Sequence, residues 1–199
     1  DSKFEEFIRH IYNNTKTRYL GLCYGAQILA QALGGTVERN HAVGFKAATE
    51  EIHLKDEFWD LPYVKAHKAL CKRRPKALVC VKSHGDHVTK LPEDAVLLGY
   101  LLLSFSLSPN NNSFRSSETT KVEIFAIGDR FFATQGHPEY STEFVLSRDS
   151  SVKISEAEDK DIESFEALKK AKREKSYSLQ EDRYDLRMVC ANFLKKIEA

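Results

Sequence analysis

Apolar residues in this chain recur with two periods. Near the start, "KFEEFIRHIYNN" sets Phe4, Phe7, Ile8 and Ile11 three and four positions apart, which predicts an amphipathic helix packed on a sheet. "TRYLGLCYG" reads as a short strand running into a glycine-flanked turn. The following "AQILAQAL", 26–33, consists of good helix formers, with Gly34 and Gly35 as the stop. Strand, tight turn and helix succeed one another, with Cys23 at the bend. Alternation then takes over. "TVERN" and "FKAATEEIHL" predict strands, and "LVCVKSHGD" is an apolar run that breaks at His84 and Gly85. "AVLLGYLLL", 95–103, reads as a buried strand. "KVEIFAIGDRFFATQGHPE" reads as a hairpin turning at Gly128 and Asp129, with Gly136 opening a loop.

Between these β segments, "SLSPNNNSFRSSETT" is rich in Ser, Asn and Thr and predicts a mobile surface insertion near 104–120 rather than a domain boundary. The tail predicts a highly charged helix over 156–175 with a solvated face. A closing amphipathic helix follows, with Leu186, Val189, Cys190, Phe193 and Leu194 on one side. Together the elements predict a single α/β domain over 1–199. Its expected form is three layers, a mostly parallel central sheet flanked by helices, an antiparallel extension from the hairpin, and a site at the carboxyl ends of the strands.

Length and charge narrow the function classes. A chain of 199 residues supports one substantial core and not two. The 30 Lys and Arg nearly balance the 29 Asp and Glu, so no electrostatic footprint points to nucleic acid or an anionic membrane. The longest apolar run falls far short of the roughly 20 residues of a membrane-spanning helix. Four widely spaced cysteines, Cys23, Cys71, Cys80 and Cys190, form no C-x-x-C pair, which argues against a zinc site or a disulfide scaffold. Reduced thiols and a cytoplasmic location are the expectation. The sequence opens on Asp1 and holds one methionine, Met188, and so reads as an excised or incompletely numbered piece without a visible secretory signal.

Cys23 lies between a strand and a helix start, so the helix directs its first N–H groups and partial positive charge at the thiol. That arrangement favours the thiolate and offers donors for an oxyanion. A cysteine between glycines also suits a small residue that simply fills the turn. A nucleophilic reading needs a histidine oriented by a third group. Of seven histidines, His137 has the fitting setting: "ATQGHPEY" follows an apolar strand, Pro138 stiffens the link, and the Glu139 carboxylate can hold one ring nitrogen while the other faces a thiol. His84, Asp86 and His87 invite a metal reading, but no second ligand cluster lies near, so neither metal nor cofactor is expected. Cys71, Cys80 and Cys190 read as core thiols.

At this point the sequence resembles a family. "GLCYGAQILAQALGG" is similar to the nucleophile elbow of class I glutamine amidotransferases, whose pattern is Gly, apolar, Cys, any, Gly, any, Gln. "QGHPEYS" resembles their His-Pro-Glu segment. "SHGDHVTKLPEDAVLLG" and "KVEIFAIGDRFFATQGHPE" add to the likeness, which is nearest to the γ-glutamyl peptidase-like branch. It covers roughly 17–148, and "RYDLRMVCANFLKK" more loosely. The resemblance implies a flavodoxin-like amidotransferase fold with Cys23 as nucleophile, His137 as general base and acid, and Glu139 orienting it. It further implies that Gln27 helps bind the glutamine moiety, that the Ser83 and His84 backbone holds its amino and carboxylate end, and that the Tyr24 N–H donates to the oxyanion.

The implied chemistry is cysteine-dependent hydrolysis or transfer at a γ-glutamyl amide through a thioester, on a small-molecule γ-glutamyl substrate. Two alternatives stand beside it: a glutaminase module feeding ammonia to a separate synthetase partner, and a catalytically silent binding protein of the same fold. Two departures are visible. Ala26 stands where many members have His, and the family's first strands and glycine-rich oxyanion loop are not found ahead of the elbow, so N-terminal strands are expected to be missing.

Overall fold

The structure, a computed structural model, describes residues 2–40, 46–101, 121–140 and 177–196. In chain order these form α1 (Ser2–Asn14), β1 (Tyr19–Leu22), α2 (Tyr24–Ala32), β2 (Thr36–Arg39), β3 (Lys46–Leu54), α3 (Asp56–Asp60), α4 (Pro62–Lys65), α5 (Lys68–Arg73), β4 (Ala77–His84), β5 (Asp86–Lys90), β6 (Ala95–Leu101), β7 (Lys121–Ile127), β8 (Phe131–Thr134) and α6 (Tyr177–Lys195). The predicted insertion at 104–120 and the charged helix at 156–175 lie outside the described residues.

Period-two burial on both faces builds the layers. Along β7, Ile124 and Ala126 join one apolar cluster while Phe125 and Ile127 join the other. On β8, Phe132 points one way and Phe131 and Ala133 the other. One face receives α1 and α2 through Ile8, Ile28 and Leu29. The opposite face receives α3 to α6 through Phe58, Trp59, Val64, Leu70, Leu186, Val189 and Phe193. A central strand buried on both sides has no polar alternation, which is why β8 is apolar at three successive positions.

The main sheet runs β1-β8-β7-β6-β3-β4, and β2 pairs with β5 in a second, two-stranded sheet. The sheet is mixed rather than mostly parallel: among the described residues only β1 and β8 pair in parallel, and the other ladders are antiparallel. The tight turn between β7 and β8 makes that pair antiparallel, whereas parallel pairing needs a crossover, which here falls between β1 and β8. The β3-β4 arm folds back so that Val81 of β4 bridges His137, just beyond β8. That closure brings distant strand ends to one place.

Two predicted apolar stripes are narrower than expected. Phe7 is 55% exposed on α1 and Leu194 is 55% exposed on α6, each at the flank of its helix, while Ile8, Ile11 and Phe193 are buried. Both helices are anchored by polar contacts that no local pattern announces. Arg130, in the β7-β8 turn, donates to the carbonyls of Ile11, Tyr12 and Thr15 and so satisfies the open end of α1. Arg73 of α5 pairs with the buried Asp182 and Asp185 of α6, and the Val79 N–H of β4 donates to the Asp182 carboxylate at 3.0 Å.

Candidate active site

Cys23 occupies the bend between β1 and α2 with φ 50° and ψ −107°, a conformation that costs free energy in any residue with a Cβ. The neighbours hold it there. Its N–H donates to the Thr134 carbonyl at 2.9 Å, and its own carbonyl accepts from the Ala26 and Gln27 N–H groups. The unusual backbone thus falls on the cysteine itself rather than on the flanking glycines. Gly21 acts through closeness instead, since a Cβ there would lie 2.7 Å from the Gly25 carbonyl oxygen. The thiol is half-buried at the start of a nine-residue helix, whose first N–H groups have no partner within the helix.

His137 arrives from the segment after β8 and is fixed by its backbone, because its N–H donates to the Val81 carbonyl at 2.8 Å. Its Nδ1 lies 2.7 Å from Glu139 Oε1. A carboxylate only accepts, so this nitrogen carries the proton and the other is left for the thiol. Burial opposes a charge on the ring, but hydrogen bonds and charge from Cys23 and Glu139 outweigh it and lift the imidazole from 6.5 to about 9. Tyr140 covers one ring face, with centroids 4.1 Å apart. Cys23, His137 and Glu139 are therefore brought together in that order.

The remaining sequence-predicted positions fall around this group. The Ser83 carbonyl lies 3.8 Å from Cys23 Sγ, and the His84 ring is buried with Nδ1 2.9 Å from the Asp86 carbonyl. Gln27 is 7% exposed. Its amide nitrogen donates to the Asp86 carbonyl at 2.8 Å and to Gln135 Oε1 at 3.2 Å. The Tyr24 side chain is 56% exposed. Gln135, two residues before His137, joins the group without a role predicted from sequence: its Nε2 lies 3.6 Å from Cys23 Sγ. The signal for it was spacing, since residues two apart on an extended chain share a side, and Gln135 shares His137's. Among the described residues no group of three or more His, Cys, Asp or Glu is placed to hold a metal ion.

Beneath the loop that carries His137 lies a polar core. Lys82 and Glu123 form a fully buried ion pair, and the Gln135 N–H donates to the Glu123 carbonyl at 2.7 Å. Cys80 packs against Gly136, where a Cβ would come 2.6 Å from its sulfur. Burial pushes the Cys80 thiol up to about 11, with Lys82 pulling the other way, and lifts Cys190 to about 12. Both are inert core thiols at neutral pH, and Cys71 is half-buried with Sγ 3.3 Å from the Val64 carbonyl.

Comparison with known proteins places the chain in a family. The sequence model of the family described as "Glutamine amidotransferase class-I" matches residues 2–144. Gamma-glutamyl peptidase 3 of Arabidopsis thaliana is 32% identical over 194 residues, which is 92% of this chain and 63% of that protein. The chain thus spans less than two thirds of the length of that relative. A GMP synthase [glutamine-hydrolyzing] of Agrobacterium fabrum is 38% identical over 131 residues, covering 63% of this chain and 19% of that protein. Among solved structures, a glutamine amidotransferase from Thermotoga maritima shares the fold with TM-score 0.63 at 21% identity, over 98% of this chain and 69% of that one. A glutamine amido transferase from Methylobacillus Flagellatus does so with TM-score 0.64 at 15% identity, over 99% and 70%. With an elbow cysteine facing a histidine in a match that covers most of its length, this chain belongs to the class I glutamine amidotransferase family.

Proposed function

We propose that this chain cleaves the γ-glutamyl amide bond of glutamine or of a γ-glutamyl peptide, with Cys23 as nucleophile. The observation that carries the reading is the meeting of Cys23, at a strained elbow, with a His137 whose other nitrogen is held by Glu139. The Cys23 thiolate attacks the side-chain carbonyl carbon, and the Tyr24 N–H donates to the oxygen as it becomes negative. His137 passes its proton to the departing amine as the carbon–nitrogen bond breaks, leaving a γ-glutamyl thioester. Water then adds to the thioester, giving its proton to His137, and the sulfur leaves as thiolate. Glu139 keeps the imidazole oriented throughout. The Ser83 and His84 backbone holds the amino and carboxylate end of the substrate, and Gln27 helps bind its glutamine moiety. The peptide substrate is favoured by relatives that are named gamma-glutamyl peptidases.

A second reading, a glutaminase module that supplies ammonia to a separate synthetase, is favoured by the match to GMP synthases over 60% or more of this chain and a fifth or less of theirs. A silent binding protein of the same fold is the third. A glutamine-like electrophile separates them: it should label Cys23 in preference to Cys71 and Cys80, and Cys23→Ala should abolish γ-glutamyl hydrolysis. Hydrolysis at the wild-type rate in Cys23→Ala sinks the role of Cys23 as nucleophile, and wild-type protein with neither hydrolysis nor selective labelling favours the silent binding protein. Glutaminase activity that rises on adding a synthetase favours the second over the first.

A further inference from the structure

Gln135 is 2% exposed, and its side chain has no part in the Cys23, His137 and Glu139 chemistry described above. The hydrogen-bonding capacities of its neighbours fix which way its amide points. The backbone carbonyl of Asp86 can only accept, so the Gln27 group 2.8 Å from it must be the NH2. The second hydrogen of that NH2 reaches the Gln135 side chain at 3.2 Å, so the atom it meets must be the Gln135 carbonyl oxygen. Gln135 is then left with its own NH2 turned toward Cys23 Sγ, at 3.6 Å. Reversing either amide would set two donors or two acceptors against each other in a buried place. The main chain adds rigidity, because the Gln135 N–H is held by the Glu123 carbonyl and the Gly136 N–H by Thr134 Oγ1.

We propose that Gln135 is a catalytic residue of this site, donating an N–H to the Cys23 sulfur, and that Gln27 is the positioning residue that keeps the donor turned toward it. This rests on the reading of Cys23 as nucleophile and adds a group to it. A hydrogen bond to sulfur is worth most when the sulfur is negative. The donor therefore serves twice: it stabilises the thiolate before attack, and again when the thioester carbon–sulfur bond breaks and the electron pair returns to sulfur. It forms no covalent bond and gives up no proton. His137, backed by Glu139, faces the same sulfur from the same segment, and the Ser83 carbonyl faces it from β4. The chain also limits what Gln27 can do for a substrate. Both of its amide hydrogens are committed, so only its Oε1 is left to meet a ligand, and that atom accepts from an ammonium or an amide N–H rather than holding a carboxylate.

The test follows the reaction of Cys23 with iodoacetamide across pH, read by mass spectrometry of the intact folded protein, with Cys71 as internal reference. Gln135→Leu should slow Cys23 alkylation at and below neutral pH by roughly ten- to a hundredfold, moving the acid limb to higher pH while the rate at high pH is kept. Gln27→Leu leaves Gln135 in place, adds no charge, and removes the donor that holds the Gln135 oxygen. It should free the Gln135 amide to turn and shift the profile in the same direction by a smaller factor, which provides a second arm if Gln135→Leu does not fold. A profile that superimposes on wild type in whichever of the two variants keeps the wild-type melting temperature overturns the proposal. If wild-type Cys23 itself reacts no faster than Cys71, the nucleophile reading has failed instead, so the two failures are distinct.

Discussion

Tyr140 lies face to face on His137, with ring centroids 4.1 Å apart and planes 2° from parallel. Arg183 of α6 donates to the Tyr140 carbonyl at 3.2 Å, so the covering ring is tied to the closing helix. An aromatic face favours a cation over a neutral ring by about 0.5 to 2 kcal/mol. Tyr140→Leu is therefore expected to lower the pH at which His137 gives up its proton by roughly half a unit or more, whereas Tyr140→Phe keeps it. NMR titration of the imidazole measures this directly. An unchanged midpoint in Tyr140→Leu would mean that the stack only fills space.

The His137 proton also links stability to pH. Its folded-state value of about 9 lies above the ordinary 6.5, so the charged ring is favoured by folding. The sign follows: this contribution is fully present below about 6.5 and is lost as pH rises through about 9. Melting temperatures of the wild type should fall more steeply across that window than those of His137→Gln, which cannot titrate. Glu139→Gln removes one of the two groups that raise the value and should bring the basic limb of acylation down from about 9 toward 6.5. Equal slopes in wild type and His137→Gln would show that other groups govern the window.

Gly136 and Cys80 form a steric pair. Adding a methyl group at Gly136 would bring it 2.6 Å from the Cys80 sulfur and 3.3 Å from its Cβ, in a place where neither can yield to solvent. Gly136→Ala is expected to cost about 1–3 kcal/mol and to displace His137 next to it. Cys80→Ala in the same chain removes the blocking sulfur and should restore most of both stability and Cys23 labelling. Thermal unfolding and labelling rate, measured on the two single variants and the double variant, give the coupling. Additive losses would show that the contact is not the cause.

The ion pair between Lys82 and Glu123 is wholly shielded from solvent. Removing one partner leaves a buried charge, so Lys82→Met alone should cost roughly 3–5 kcal/mol. Replacing both, as Lys82→Met with Glu123→Leu, should recover most of that loss. Urea unfolding of the three variants decides it. A double variant as unstable as the single one would mean that the pair contributes net stability rather than only requiring both members.

What the sequence made legible was local. The elbow at Cys23 follows from a strand, a turn and a helix in direct succession, and the β7-β8 hairpin follows from alternation around Gly128. Helices α3, α4 and α5 went unseen because none exceeds six residues, too few for a helical period to register, although they supply Phe58, Trp59, Tyr63 and Leu70 to the core. The parallel share of the sheet was overestimated because strand direction depends on partners far along the chain. Arg130 closes α1 across 115 to 119 positions, and the Gln27 and Gln135 amides meet across 108. No short-range pattern encodes either contact. Glu139 beside His137 was readable because only one residue separates them.

The fold-back of the β3-β4 arm has a consequence for when the thiol acquires its environment. Cys23 takes contacts from Ser83, 60 positions on, and from Gln135, 112 positions on, and the His137 N–H is held by the Val81 carbonyl of β4. While the chain is being synthesised, the elbow cysteine leaves the ribosome long before any of these partners. Contacts of such separation are slow to form. On the proposed reading of Cys23, a half-made chain therefore holds the thiol without the carbonyl, amide and imidazole that surround it in the fold, so nucleophile and neighbours are assembled only once the later strands are in place.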